Sequence, residues 1–484
     1  MNTAARMESN GKPGCIHLSE QTASLLIESG KSNWLEMRKD KIVAKGKGEL
    51  QTYWLSRNTS SSGGSRTELS ESVHDDTDAT TSTPEIASSD VGTTMLKLDP
   101  KLRRLVSWNV QSLLPAIERL ALVRKSRTET SKSFDTLDET ASPEKSIPLD
   151  EVADTLEICY EVEPTFDSFA LLDPEVEREL EVYCTTIAAM YHRHPFHNFE
   201  HASHVLMSVL KLFARVAKPK GGVEESASKR CARSYGLACD SLVLFACLLA
   251  ALVHDIDHPG ELNERWMQEN KALVNLYKQR SVSEQNAFEL AWGLLMDNQF
   301  ATLRRAIYQN KQEKARFRSI FLNAVLATDL FDMEKNAKIC NQWERFFGDG
   351  SLSSSRNKTP AQQNHCATLV MEELIRASNI SHTMQHFQVY RKWNARLFDE
   401  SYQAYVDGKT DADPMEFWYA QELKFFDNTV IPLARRLQSC GVFGHRKEGN
   451  EYLDFAIKNR REWLFRGNAI VAEYRERWNG IEKF

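Results

Sequence analysis

The stretch LVLFACLLAALVHDIDH, residues 242–258, runs twelve apolar or small residues without a break into two histidines and two aspartates. A membrane-spanning helix needs roughly 20 such residues, so this run reads as a helix buried in a protein core. A buried helix that ends in His254 and Asp255 is costly unless those polar groups meet a partner. Working outward, the segments that follow, as far as Phe484, are long and amphipathic, are broken by short polar loops, and contain no convincing alternating strand. That pattern predicts one all-α domain of many helices over residues 150–484.

Upstream, YHRHPFHNFEHASHV (residues 191–205) holds five of the chain's thirteen histidines. His197, His201 and His204 stand at i, i+4 and i+7, which on a helix puts them on one face. A lone pair of histidines at that spacing is more often a surface coincidence than a site. The His254–Asp255 cluster changes the weighing, because imidazole plus carboxylate is a zinc ligand set, while carboxylate and water suit magnesium or manganese. One aspartate touching two ions suits a two-metal site, where ions roughly 3.5–4 Å apart assist in-line displacement at phosphorus.

Composition narrows the classes. With 484 residues, 42% apolar content, a net charge of −6 and no basic block, the chain is not a nucleic-acid binder. The nine cysteines include no CxxC pair and no tight framework, which favours a reduced, cytoplasmic setting. Neither a signal peptide nor a membrane span is expected. Residues 58–149 read as a linker: Thr59 to Thr94 is Ser/Thr-rich and too polar to offset its ordering entropy. LRRLVSWNVQSLLPAIERLALVRK, inside that zone, has helical spacing, predicting one amphipathic helix at about 96–125, suited to docking on a partner.

FHNFEHASHV and HDIDHPGELN together resemble the signature segments of class I 3′,5′-cyclic nucleotide phosphodiesterases. NLYKQRSVSEQN, VLATDLF, YRKWN and FFDNTVIPL resemble later family segments, in family order, and the resemblance covers roughly Asp150 to the C-terminus. It implies a multi-helix HD-type fold and two divalent metal ions, zinc with magnesium or manganese. It makes His197 the general acid, makes His201, His254 and Asp255 metal ligands with Asp255 bridging, and assigns His258, Glu284 and Thr328 to the waters around the metals. Asp329 follows Thr328 in the same segment, and His204 reads as a packing histidine.

Two departures from the family bear on the site, and a third is smaller. Counting back from Tyr390 places Asn379 where an aspartate ligand is usual, and an amide offers an oxygen without charge. Counting from FFDNTVIPL places Glu422, three before Phe425, where a glutamine usually reads the purine, with Gln421 one step away. Glu422 and Phe425 are therefore the substrate-binding candidates. Arg265 stands where the second signature usually ends in an apolar side chain, a change of packing only.

At the other end NTAARMESNG, IHLSEQTASLLIESG and KIVAKGKGELQTYWL resemble the C-terminal end of a class III nucleotidyl cyclase domain. The resemblance spans residues 1–57 and maps the ribose-orienting asparagine to Asn2 and the phosphate-stabilising arginine to Arg6. A piece this small makes no normal core. It reads as an α/β remnant, or as the end of a longer cyclase–phosphodiesterase fusion, which leaves room for membrane anchoring elsewhere and for a homodimer.

The expected function is metal-dependent hydrolysis of cAMP, cGMP or both to 5′-monophosphates. Two rivals stay open: a weak or inactive cyclic nucleotide sensor, motivated by Asn379 and Glu422, and another HD-type nucleotide phosphohydrolase.

Overall fold

A computed structural model describes residues 16–28, 35–40, 42–44, 48–55, 98–128, 147–159, 161, 172–218, 226–260, 270–348, 358–443 and 446–481. The chain divides into two compact units, residues 1–83 and 84–484.

In the first unit, β1 (Ile16–Ser19), β5 (Thr52–Leu55) and β2 (Leu35–Met37) form an antiparallel sheet in that order. β1 pairs with β5 from Ile16↔Leu55 to Ser19↔Thr52. β3 (Ile42–Ala44) and β4 (Gly48–Leu50) make a separate two-stranded ladder. Helix α1 (Glu20–Glu28) follows β1 directly. This is the small α/β element expected at the N-terminus.

The second unit is helical throughout its described residues. Its helices are α2 (Pro100–Thr128), α3 (Pro174–Ala189), α4 (Phe199–Ala217), α5 (Ala227–Arg233), α6 (Ser241–Val253), α7 (Lys271–Leu276), α8 (Val282–Met296) and α9 (Ala301–Ile307). There follow α10 (Lys311–Leu326), α11 (Met333–Phe347), α12 (Pro360–Asn379), α13 (Phe387–Val406), α14 (Pro414–Phe425), α15 (Ile431–Ser439) and α16 (Arg446–Ile481).

The apolar run at 242–253 is the centre of this unit. It forms α6, buried on nearly every side and packed against α2, α4 and α10. Full burial of one such side chain is worth about 1.5–3 kcal/mol, so α6 anchors the elements around it. The Asp240 side chain caps α6 by accepting from Val243 N–H, and Asn198 caps α4 through Glu200 N–H and His201 N–H. Each cap is worth about 1 kcal/mol. On α12, Thr359 and Gln362 form a reciprocal capping box that brackets Pro360. Such caps fix where α4, α6 and α12 begin, and the candidate site residues cluster at the start of α4 and the far ends of α6 and α12.

Two features differ from the sequence reading. Helix α2 does not wait for a partner: Val106, Val110, Leu113, Ile117 and Leu120 are buried in the same core as α6, and Asn109 Nδ2 donates to Ser203 Oγ on α4 at 2.9 Å. The cysteines, read as forming no tight framework and favouring a reduced setting, also include a bonded pair. Cys231 and Cys239 are joined in a disulfide, because the chain reverses between them through Tyr235 and Gly236 at positive φ (53° and 90°). No helix of the described residues is long and apolar enough to cross a membrane.

Candidate active site

The end of α6 delivers the first two groups. His254 is its C-terminal cap residue, and Asp255 follows in the turn. Tyr191 O–H donates to Leu252 O at 2.8 Å, pinning this end of the helix. His254 Nδ1 lies 3.1 Å from Ala251 O, a partner that only accepts, so Nδ1 carries a proton and Nε2 is the nitrogen turned to the cradle. Nε2 faces Asp255 Oδ2 at 2.9 Å, and both are buried atoms without a hydrogen-bond partner among the described residues. Held face to face in a buried site, these two atoms need a cation between them, either a proton on Nε2 or a metal ion in its place.

The other side of the cradle comes from α4 and α12. His201, in the first turn of α4, is 1% exposed, and its Nε2 stands 3.7 Å from Asp255 Oδ2. Asn379, the last residue of α12, places Oδ1 3.1 Å from the same Nε2. Ligand atoms of His201, His254 and Asp255 all lie within 4.8 Å of one another. Spacings of about 3–4 Å suit four donors around one ion with bonds of about 2.0–2.2 Å. Burial opposes the charge on Asp255, yet His254 beside it takes its carboxyl well below the usual range. Burial drives His201 the other way, keeping its ring neutral, the form that ligates a metal. The residues fit a divalent ion.

His197 was expected on the same helix face as His201, but α4 begins only at Phe199 after the Asn198 cap, so His197 sits in the entering turn. Its position comes instead from Glu400 on α13, a residue the sequence reading missed. Glu400 accepts from Phe196 N–H at 2.8 Å and His197 N–H at 2.9 Å, and its other oxygen pairs with His197 Nδ1. Burial works against the imidazolium, but Glu400 outweighs it and lifts His197 to about 9. Burial would raise Glu400; His197 holds it at about 2. On the far face His258 stacks against His197, ring centroids 3.8 Å apart, and burial followed by that charge pushes His258 down to about 3. The result is a charged histidine beside a neutral one.

Glu284 lies in the first turn of α8, partly exposed, with its Oε2 atom buried and unpartnered among the described residues. Burial first, then the neighbouring Asp329, keeps its carboxyl well above the usual range. The turn before it is strained: Lys278, Gln279 and Ser281 all have positive φ (54°, 61° and 43°). Such conformations in non-glycine residues cost on the order of 1–3 kcal/mol each and persist where the surroundings over-determine them. Here the surroundings are Gln285, whose amide donates to Tyr277 O and Arg280 O and accepts from Leu149 N–H. Asp329 takes Ser281 O–H at 2.8 Å and two backbone N–H groups of its own turn. Thr328 turns its hydroxyl back to Val325 O and offers the cradle its carbonyl, which accepts from Asn379 Nδ2 at 3.2 Å. His204 packs on Trp393, ring centroids 5.1 Å apart, and burial holds it at about 4.

The description 3′5′-cyclic nucleotide phosphodiesterase matches residues 196–440, just over half of the chain. The chain belongs to that family. It is similar to a probable 3′,5′-cyclic-AMP phosphodiesterase of Caenorhabditis elegans, 24% identical over 224 residues, covering 46% of this chain and 29% of that protein. A probable 3′,5′-cyclic phosphodiesterase of the same organism is 27% identical over 210 residues, covering 42% of this chain and 29% of that protein. The chain thus spans about three tenths of the length of these relatives. Among solved structures, the phosphodiesterase domain of a rhodopsin–phosphodiesterase fusion from the choanoflagellate Salpingoeca rosetta matches with a TM-score of 0.50 and 19% identity. It covers 80% of this chain and 98% of that domain, and it shows the fold. Residues 1–57 match the adenylate and guanylate cyclase catalytic domain. Over 55 residues the chain is 56% identical to a receptor-type guanylate cyclase of Caenorhabditis elegans, covering 11% of this chain and 5% of that protein.

Within this phosphodiesterase-family unit, Glu422 is buried on α14 while Gln421 beside it is exposed. Tyr390 O–H donates to Glu422 Oε2 at 2.7 Å, and Asn394 donates as well. Burial pushes the Glu422 carboxyl up to about 7 against these donors. Phe425, at the end of α14, is partly exposed, and a five-residue π-helix, Phe426–Val430, links it to α15. Asn2 and Arg6 lie outside the described residues.

Proposed function

We propose that the helical unit hydrolyses 3′,5′-cyclic nucleotides, cAMP, cGMP or both, to 5′-nucleoside monophosphates in cyclic nucleotide signalling. The observation that carries this reading is the cradle of His201, His254, Asp255 and Asn379 standing beside the His197–Glu400 pair. The four cradle residues would hold a zinc-class ion. Asp255 would be shared with a second ion, magnesium or manganese, and His258 and Glu284 would hold water near it. When bound, these ions supply Lewis acidity to the phosphoryl oxygens and make water a competent nucleophile near neutral pH.

His197 does the rest of the proton work. With Nδ1 committed to Glu400, its second proton sits on Nε2. As the oxygen of water bonds to phosphorus and the P–O3′ bond breaks, that proton passes to O3′, and the proton the water sheds restores His197, so the alkoxide never leaves as a free anion. Glu400 keeps the ring charged and oriented until then. Glu422 and Phe425 are the proposed base-binding residues. A cytoplasmic location, and a longer protein joining a cyclase-derived segment to this unit, fit the same role.

The test is turnover of cAMP and cGMP by the full chain, with zinc, magnesium and manganese varied and the product identified as the 5′-monophosphate. Hydrolysis of deoxynucleoside triphosphates instead would sink the reading. Asn379 favours one alternative, a nucleotide sensor; saturable binding without turnover at saturating metal would establish it.

A further inference from the structure

The cradle contains one carboxylate, two imidazoles and one primary amide, and the amide is anchored at both ends. Asn379 Nδ2 donates to Thr328 O at 3.2 Å, while Oδ1 faces His201 Nε2 at 3.1 Å. The orientation is forced: a backbone carbonyl only accepts, so the NH2 must face Thr328. One turn earlier on the same helix, Arg376 donates to Asp329 O at 3.1 Å, the next carbonyl along. Arg376 is backed by buried Glu373 at 3.4 Å, which also holds Arg436 at 2.7 Å. The end of α12 therefore grips two successive carbonyls of the turn after α10 and aims the Asn379 oxygen into the cradle.

We propose that Asn379 is a neutral clamp that assembles the cradle before any ion enters, leaving a single-carboxylate site that prefers zinc-class ions to magnesium. The preference rests on the reading of this cradle as a metal site; the clamp does not. A carboxylate at position 379 would set an anionic oxygen against the Thr328 carbonyl, which has no proton to offer it. Without an ion, that arrangement repels itself. With an ion, the same carboxylate would add charge and a hard oxygen ligand, the kind magnesium requires. Two imidazoles with one carboxylate and a neutral oxygen suit zinc, cobalt or nickel instead.

The experiment is thermal unfolding and metal titration of the full chain carrying Asn379, Asn379→Asp or Asn379→Ala, in EDTA and with zinc, cobalt or magnesium chloride. In EDTA both variants should melt a few degrees below wild type, since each loses the amide bond to Thr328. On adding ions, Asn379→Asp should gain magnesium affinity about tenfold or more, while Asn379→Ala gains none. Cobalt absorption should give wild-type binding at least about a hundredfold tighter than magnesium. An Asn379→Asp melting point in EDTA equal to or above wild type overturns the clamp. Magnesium affinity unchanged by Asn379→Asp overturns the selectivity. If no ion shifts the melting point or the cobalt spectrum of any form, the metal reading fails, while the EDTA comparison still decides the clamp.

Discussion

Glu400 and His197, 203 positions apart in the chain, are joined by a carboxylate that takes the His197 side chain on one oxygen and the Phe196 and His197 backbone N–H groups on the other. Three donors converge on one acid, so α13 fixes both the path of the entering turn and the tautomer of the ring. A histidine held this way has no rotational freedom to misplace its Nε2 proton.

The first prediction follows from that geometry. His197 is raised to about 9, so its acid form is fully present near neutral pH and is lost as pH rises through about 9. Glu400→Gln keeps the shape but removes the charge that holds the proton. The alkaline limb of the kcat profile should then move down by at least about one pH unit, as expected for loss of a contacting opposite charge. His197→Ala should lower kcat by about 10²–10⁴ at pH 7.5 with metal content retained. A limb that stays in place in Glu400→Gln would leave Glu400 a purely structural role.

Asp255 should be the most damaging single position. It faces His254 and His201 within the cradle and is the proposed link to a second ion. Asp255→Ala should empty both sites and abolish turnover, read by elemental analysis of the dialysed protein. Metal content equal to wild type would refute the shared-ligand arrangement.

Much of this was legible in the sequence because α6 is so apolar that it has only one place to go, and the histidine–aspartate pair at its end had to follow. Glu400 left no such signal. In ARLFDESYQAYV it looks like one acid among several on an ordinary amphipathic helix, and only tertiary packing reveals that it turns inward. His197 was misplaced onto α4 because i, i+4 spacing from His201 is compatible with a helix, whereas the Asn198 cap starts the helix after it. Helix phase decided the Gln421–Glu422 ambiguity, since the two point about 100° apart and α14 turns Glu422 inward and leaves Gln421 exposed. The Cys231–Cys239 bond depended on a chain reversal at Tyr235 and Gly236 that no spacing rule announces.

Removal of residues 1–57 should leave kcat/KM within about threefold, a change of under 1 kcal/mol. Those residues belong to a compact unit of their own, and every residue of the cradle lies in the other. A loss of tenfold or more would show that the N-terminal segment supports the catalytic unit.

Glu422 carries the last prediction. Asn394 Oδ1 is occupied by Trp418 Nε1–H at 3.3 Å and Tyr474 O–H at 3.1 Å, so its NH2 is the end that serves Glu422, alongside Tyr390 O–H. Burial nevertheless lifts the carboxyl from 4.5 to about 7. A raised carboxyl binds its proton more tightly in the folded state than in the unfolded one. Its contribution to stability is therefore full below about pH 4.5 and is lost as pH rises through about 7. That loss is on the order of 3 kcal/mol. Glu422→Gln has no charge to bury, so its melting point should fall less than that of wild type between pH 5.5 and 8.5. The same change bears on the purine. Above pH 7 the wild-type carboxylate only accepts, whereas an amide donates and accepts and can pair with either base edge. At pH 8, Glu422→Gln should lower KM for at least one of cAMP and cGMP by about tenfold, or 1.4 kcal/mol. At pH 6 the gap should narrow, because a protonated Glu422 also offers one donor and one acceptor. Equal KM values at both pH values, with the stability difference intact, would mean that Glu422 serves only the packing of α13 against α14, and that another residue reads the base.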